Sequence, residues 1–157
     1  MKKISVALVS LLLCLSLIGC SAEKSEQKST TANQQQTVNC ELEIECKAVL
    51  SNMDKLKADH KKYVNDGVIL SKNSLTLENG ATAYDVLVKA CEDNNISLNV
   101  TDSSYGKYIV GINNVDEKDC GQNSGWGFMV NGKYPSENID KYVVKPGDKI
   151  VYSFMCW

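Results

Sequence analysis

Thr82-Ala83-Tyr84-Asp85-Val86-Leu87-Val88-Lys89-Ala90-Cys91 is the one run of this chain with a clear helical period. Ala83, Val86, Leu87, Ala90 and Cys91 fall at i, i+3, i+4, i+7 and i+8, a single apolar stripe. Thr82 stands where an N-cap belongs and Asn94-Asn95 closes the run, giving a helix of about twelve residues. The flanking sequence has the period of strands. Val38, Cys40, Leu42, Ile44, Cys46 and Ala48 alternate with Asn39, Glu41, Glu43, Glu45 and Lys47, so residues 38–48 read as a long strand whose glutamates form a solvated face. Residues 54–63 are polar and lysine-rich with some helical character. Short strands are expected at 68–70 and 75–77, then from Ile96 through Leu98 and Val100, at 108–112 and at 126–130. Asn131-Gly132 is a hairpin turn signal, Pro146-Gly147-Asp148 is a second turn, and residues 149–157 form the closing strand. One helix against about six strands predicts an α+β fold, a sheet packed on one main helix.

The amino terminus has a different character. Met1-Lys2-Lys3 is followed by an apolar run over residues 4–18 that ends in Leu17-Ile18-Gly19-Cys20. The run is shorter than the ~20 residues of a spanning helix, and polar Ser21-Ala22-Glu23-Lys24 follows at once. Residues 1–19 therefore read as a secretory signal peptide. Their end resembles the bacterial lipobox, which implies that Cys20 is acylated and becomes the first residue of the mature chain. Two or more acyl chains hold firmly where one is marginal, at about 0.8 kcal/mol per buried methylene. The expected location is the extracytoplasmic face of the cell membrane. Residues 20–37 are Gln, Ser, Thr, Lys and Glu with little beyond Ala22 and Ala32 that is apolar, a composition suited to a polar, disordered tether. Residues 38–157, about 120 in all, are the length of one ordinary domain.

Loss of residues 1–19 removes Lys2 and Lys3, leaving 15 lysines against 19 acidic residues. The chain has no arginine, the side chain best suited to bidentate phosphate recognition, and no basic patch, so nucleic-acid binding is not expected. Catalysis finds no constellation either. His60 is the only histidine and lies among lysines, without a serine or cysteine partner in sight. Asp116-Glu117-Lys118-Asp119 lacks the spacing of a calcium loop. With no Cys-x-x-Cys pair and a single histidine, no metal is expected. Export permits disulfides among Cys40, Cys46, Cys91, Cys120 and Cys156, an odd number. Cys40 and Cys46 are separated by about 20 Å of extended chain and cannot easily pair with each other.

Three further segments act together. Gly125-Trp126-Gly127-Phe128-Met129-Val130-Asn131-Gly132-Lys133-Tyr134-Pro135, then Tyr142-Val143-Val144-Lys145-Pro146-Gly147-Asp148-Lys149-Ile150, resemble the transcobalamin-like C-terminal domain family of bacterial surface proteins. Glu78-Asn79-Gly80-Ala81-Thr82-Ala83-Tyr84-Asp85-Val86-Leu87 is similar to that family's entry from strand to helix, and Gly111-Ile112-Asn113-Asn114 to its middle strand. The resemblance covers about residues 40–157. It implies a β-grasp-like mixed sheet over one helix and kinship with the cobalamin-binding β-domain of transcobalamin and intrinsic factor. A corrinoid is the ligand it suggests, although the α-helical barrel that completes those carriers is not in this chain. It further implies that first and last strands run parallel side by side. On that basis Cys46 is expected to bridge Cys156 and Cys91 to bridge Cys120, with Cys40 left over.

Two readings of the aromatic residues remain open. Trp126, Phe128 and Val130 share one strand face, as a core stripe would, while Trp126 and Tyr134 could instead form a ligand platform. On the closing strand Ile150, Tyr152 and Phe154 point one way and Val151, Met155 and Trp157 the other. Either the strand is covered on both sides or one side receives a ligand. The residues expected to bind are thus Trp126, Tyr134, Met155 and Trp157. The function classes that survive are a non-catalytic binding domain for a small amphipathic ligand, with no bound cofactor beyond that ligand, and a surface adhesion or assembly module for a protein or cell-wall glycan. Because acylation requires the Cys20 thiol, Cys20→Ser is expected to abolish lipid labelling and to move the protein out of the membrane fraction. Unchanged mass and membrane retention would remove the anchor.

Overall fold

The computed structural model describes residues 36–157. The signal peptide, Cys20 and nearly all of the tether lie outside the described residues. The chain forms β1 (Thr37–Glu45), a single turn α1 (Lys47–Leu50), a 3-10 turn (Lys61–Tyr63), β2 (Val68–Glu78), α2 (Ala83–Asp93), β3 (Leu98–Ser103), β4 (Gly106–Ile112), β5 (Val115–Asp116), β6 (Gly125–Val130) and β7 (Lys149–Met155). Four strands make a mixed sheet in the order β2-β1-β7-β6, and three make a smaller sheet in the order β3-β4-β5. The architecture is α+β, a β-grasp-like mixed sheet packed on the one main helix.

Helix α2 starts where its cap requires. Thr82 Oγ1 accepts from Asp85 N–H and the Asp85 carboxylate accepts from Thr82 N–H at 2.7 Å, a reciprocal capping box. Its buried residues are the five of the apolar stripe. Opposite them lie Leu42 and Ile44 of β1 and Ile150, Tyr152 and Phe154 of β7, all fully buried. β1 and β7 pair in parallel, from Glu41 opposite Lys149 to Glu45 opposite Ser153, as the family resemblance implies. Tyr152 adds a directional tie, its hydroxyl donating to the Ala83 carbonyl at 2.8 Å. Burial pushes its ionisation well above the ordinary tyrosine range, so it remains a donor.

Local expectations shift in three places. β1 ends at Glu45, because Cys46 and Val49 turn inward on α1 to cover the end of the core. The two short strands expected near residues 70 and 76 are one strand, β2, whose alternation is interrupted by register shifts opposite Leu42 and Ile44. Asn131 (φ 52°) and Gly132 (φ 76°) form the turn their sequence signals, closed by Val130 and Lys133, but no strand follows directly. β6 instead pairs with β7 after a long excursion, with Val130 opposite Ile150.

The disulfide differs as well. Cys120 bonds Cys156, with Cα atoms 5.3 Å apart. The expected Cys46–Cys156 and Cys91–Cys120 pairs are not made; Cys40, Cys46 and Cys91 are free and buried. Cys46 is held inside by α1, and Cys91 lies on the core stripe of α2. Burial pushes both thiols up to about 11, which suppresses thiolate reactivity.

Beside the bridge, the side chain of Asp119 is fully buried. It pairs with Lys57 Nζ at 2.7 Å and with His60 Nδ1, and accepts from Asp116 N–H at 2.7 Å. His60 is therefore a partner of a buried carboxylate, not the solvated side chain its lysine-rich context suggests. Burial alone would raise the Asp119 pKa, but Lys57, the Asp116 amide and His60 outweigh it and hold the carboxyl below the usual range. A lowered folded value means stability that is complete above the unfolded pKa of about 3.9 and is lost as pH falls through the folded one. Asp119→Asn is expected to destabilise the protein by about 1–3 kcal/mol at pH 7 and to flatten the acid limb of its stability profile. Chemical denaturation between pH 2 and 7 measures both, and an unchanged acid limb would remove Asp119 from that role.

Candidate functional site

β6 carries the residues that concentrate the aromatic side chains, because Gly125 and Gly127 alternate with bulky neighbours along it. The missing side chain at Gly127 matters: an added Cβ would sit 3.0 Å from Met155 Cε and 3.9 Å from the Tyr134 ring. Tyr134 and Met155 therefore close over the strand, the Tyr134 hydroxyl lying 4.0 Å from Met155 Sδ. Tyr134 is 66% exposed and Met155 half-buried. This outer face continues through half-buried Val151 and Ser153 of β7 to the glutamates of β1.

Trp126 points to the opposite side. Only 8% of it is exposed, its indole N–H donates to the Val115 carbonyl at 2.8 Å, and its ring meets Phe154 edge-on at 5.3 Å. Phe128 stacks on Tyr152 with centroids 5.8 Å apart. The core stripe is thus the main role of Trp126, yet its edge and that of Phe128 still line a groove of about 190 Å³ with Tyr105, Tyr108, Lys107 and Ile139. Asn138 shapes one wall by donating to the Tyr105 carbonyl at 2.9 Å. On the other wall the Tyr108 hydroxyl donates to Glu117 at 2.6 Å, which holds that carboxyl below its ordinary range. Tyr105, 86% exposed at the tip of the β3–β4 hairpin, and Tyr108 were not singled out by the sequence reading. An aromatic within Ser103-Ser104-Tyr105-Gly106, a turn composition otherwise polar, was the available signal.

Trp157 stands apart from both surfaces. It is 67% exposed beyond the end of β7, next in sequence to the bridged Cys156. The structure thus brings Tyr134 and Met155 together, places Trp126 behind them at the groove, and leaves Trp157 at the chain end. A larger hollow of about 760 Å³ lies elsewhere, where the end of β2 faces Asp85 and Lys89 of α2, and it is wide open. Among the described residues no group of three or more His, Cys, Asp or Glu side chains comes together as a metal site.

Residues 80–155 match a family described as a domain of unknown function, DUF4430. No curated protein matches the chain. Among solved structures, haptocorrin in complex with Cbi superposes with a TM-score of 0.60 at 17% identity, over 80% of this chain and 26% of haptocorrin. The fold is transcobalamin-like, and this chain spans about a quarter of that relative. A Ruminococcus gnavus protein provisionally assigned as metal binding is 14% identical over 76% of this chain and 98% of its own, with a TM-score of 0.46.

The two tryptophans should separate cleanly. Trp126→Ala is expected to cost about 3–5 kcal/mol, as truncation of a buried, hydrogen-bonded aromatic does, whereas Trp157→Ala should stay within about 0.5 kcal/mol. Denaturant midpoints measure both, and a large loss at Trp157 would show that it packs in the fold.

Proposed function

We propose that this protein is a membrane-anchored extracytoplasmic lipoprotein, held through Cys20, whose domain binds a small amphipathic ligand such as a corrinoid without catalysing a reaction on it. One observation carries the reading: both flanks of β6 offer aromatic surface to solvent, Tyr134 against Met155 on one side and the Tyr105–Tyr108–Phe128 groove on the other. Trp126 then supports the groove from behind, and Trp157 is an outlying contact. A groove of about 190 Å³ is smaller than the roughly 300 Å³ at which pockets begin to enclose a drug-sized molecule. The ligand would lie across β6 with one edge in the groove, and a second surface would be needed to enclose it.

The same small volume favours a second reading, an adhesion or assembly module. Tyr105 and Tyr134, both largely exposed, suit a flat partner such as a protein or cell-wall glycan, since interfaces are enriched in tyrosine.

Titrating a corrinoid into the chain from residue 20 with Cys20→Ser, followed by calorimetry, tests the first reading. Saturable binding is expected, weakened at least about tenfold by Tyr108→Ala or Tyr134→Ala if each removes about 1.4 kcal/mol of contact. Melting temperatures should be unchanged. No saturable binding of a corrinoid, with glycan or surface-protein binding lost in those two variants, would decide for the second.

A further inference from the structure

The far edge of the main sheet is open. β2 ends the order β2-β1-β7-β6 and is 11 residues long. The Asn79 amide donates to the Gln36 carbonyl at 2.7 Å, so residues 36 and 79 form a bonded pair. Antiparallel alternation then makes Leu77, Leu75 and Asn73 the residues that bond β1, and turns the amides and carbonyls of Ser74, Thr76 and Glu78 outward. The parity holds on β1, where the Glu41 amide and the Asn39 carbonyl are already engaged on the β7 side by Asp148 and Gly147. Among the described residues nothing pairs with the outward main-chain groups of Ser74 and Thr76.

Natural sheets blunt such edges with proline, bulges, inward charges or brevity. β2 has no proline, and its register shifts fall toward the Val68 end, leaving residues 73–78 regular. The opposite edge is managed differently: the outward amide of Val130 on β6 is taken by the Lys133 carbonyl, and Tyr108 and the loop bearing Asn138 crowd that strand.

We propose that the β2 edge pairs with the β2 edge of a second copy of this chain, antiparallel about a two-fold axis at Leu75. The sequence of the edge selects that partner. Lys72, Ser74, Thr76 and Glu78 are all exposed and, at alternate positions, share one face. Laid against itself about Leu75, the run sets Lys72 opposite the partner's Glu78, Ser74 opposite the partner's Thr76, and the reverse pairs beyond the axis. Opposite charges and hydroxyl pairs directly across a ladder each stabilise it. The register also pairs outward residues only with outward residues at positions 74 and 76, which the hydrogen-bond alternation demands. On the other face, the open hollow between Leu77 and Lys89 leaves room for the incoming strand's side chains. The contact is isologous and closes at two copies, so it yields a dimer and not a fibre.

Sedimentation of the chain from residue 20 with Cys20→Ser, over a wide concentration range, tests this. A reversible monomer–dimer equilibrium is expected. Thr76→Pro removes an amide that β1 does not use, and it should abolish the dimer with the circular dichroism spectrum unchanged. Lys72→Glu and Glu78→Lys should each weaken association about tenfold, because two symmetric attractions become repulsions of about 0.2–1 kcal/mol apiece. The double variant should recover wild-type association. A monomer at every concentration, a dimer indifferent to Thr76→Pro, or a double variant that stays weak would each overturn the proposal. The charge exchange does so even if the proline variant fails to fold.

Discussion

The parallel ladder between β1 and β7 is the constraint on which the rest of the molecule depends. Parallel neighbours cannot be joined by a tight turn, so everything from Cys46 to Asp148 is one long crossover. That crossover must cover the sheet on one face, and α2 is its only long helix among the described residues. Its stripe of Val86, Leu87 and Ala90 meets Leu42 and Ile44 on one strand and Ile150, Tyr152 and Phe154 on the other. The closing strand is consequently central, and its inner residues are the most deeply buried large side chains in the protein. Placing the last strand in the middle also makes the fold wait for the whole chain, a topology rich in distant contacts.

The same arrangement explains where the disulfide falls. β7 ends at Met155 beside the start of β6, and the loop that enters β6 carries Cys120. A bridge from Cys156 to that loop staples the end of the central strand to the segment that must run beside it. Asp119 then ties the same loop to the 57–60 segment through Lys57 and His60. The two links are adjacent in sequence and join elements that share no backbone ladder.

Local order in this protein was legible where one residue type at one period decided it. The stripe and cap of α2, the alternation of β1, the turn at Asn131-Gly132 and the mixed α+β class all follow from spacing. The parallel first and last strands came from the family resemblance and not from periodicity. What depends on distance through space was not legible. Alternation along β1 carried Cys46 and Ala48 as strand residues, because a single helical turn that folds an apolar pair inward leaves the same period-two trace as a strand. The Cys120 pairing depends on where a loop of Asn, Asp and Gly comes to rest, and that loop has no pattern of its own. Trp126 illustrates the limit for the site. Its neighbours Phe128 and Val130 marked a core stripe, but that its indole N–H finds the Val115 carbonyl depends on the second sheet.

Glycine spacing on β6 links the fold to the surface chemistry. A strand with Gly125 and Gly127 on one side and Trp126 and Phe128 on the other is lopsided. The bulky side fills the core beside Phe154 and Tyr152, and the bare side lets Tyr134 and Met155 lie flat on the backbone. Any side chain at position 127 would lift that pair away, since Met155 already stands at the limit of contact. The edge strand that closes the core is therefore also the strand that presents aromatic surface outward. Because Trp126 and Phe128 are anchored in the core, the surface they support is held rigidly, which reduces the ordering cost of any partner that settles on it.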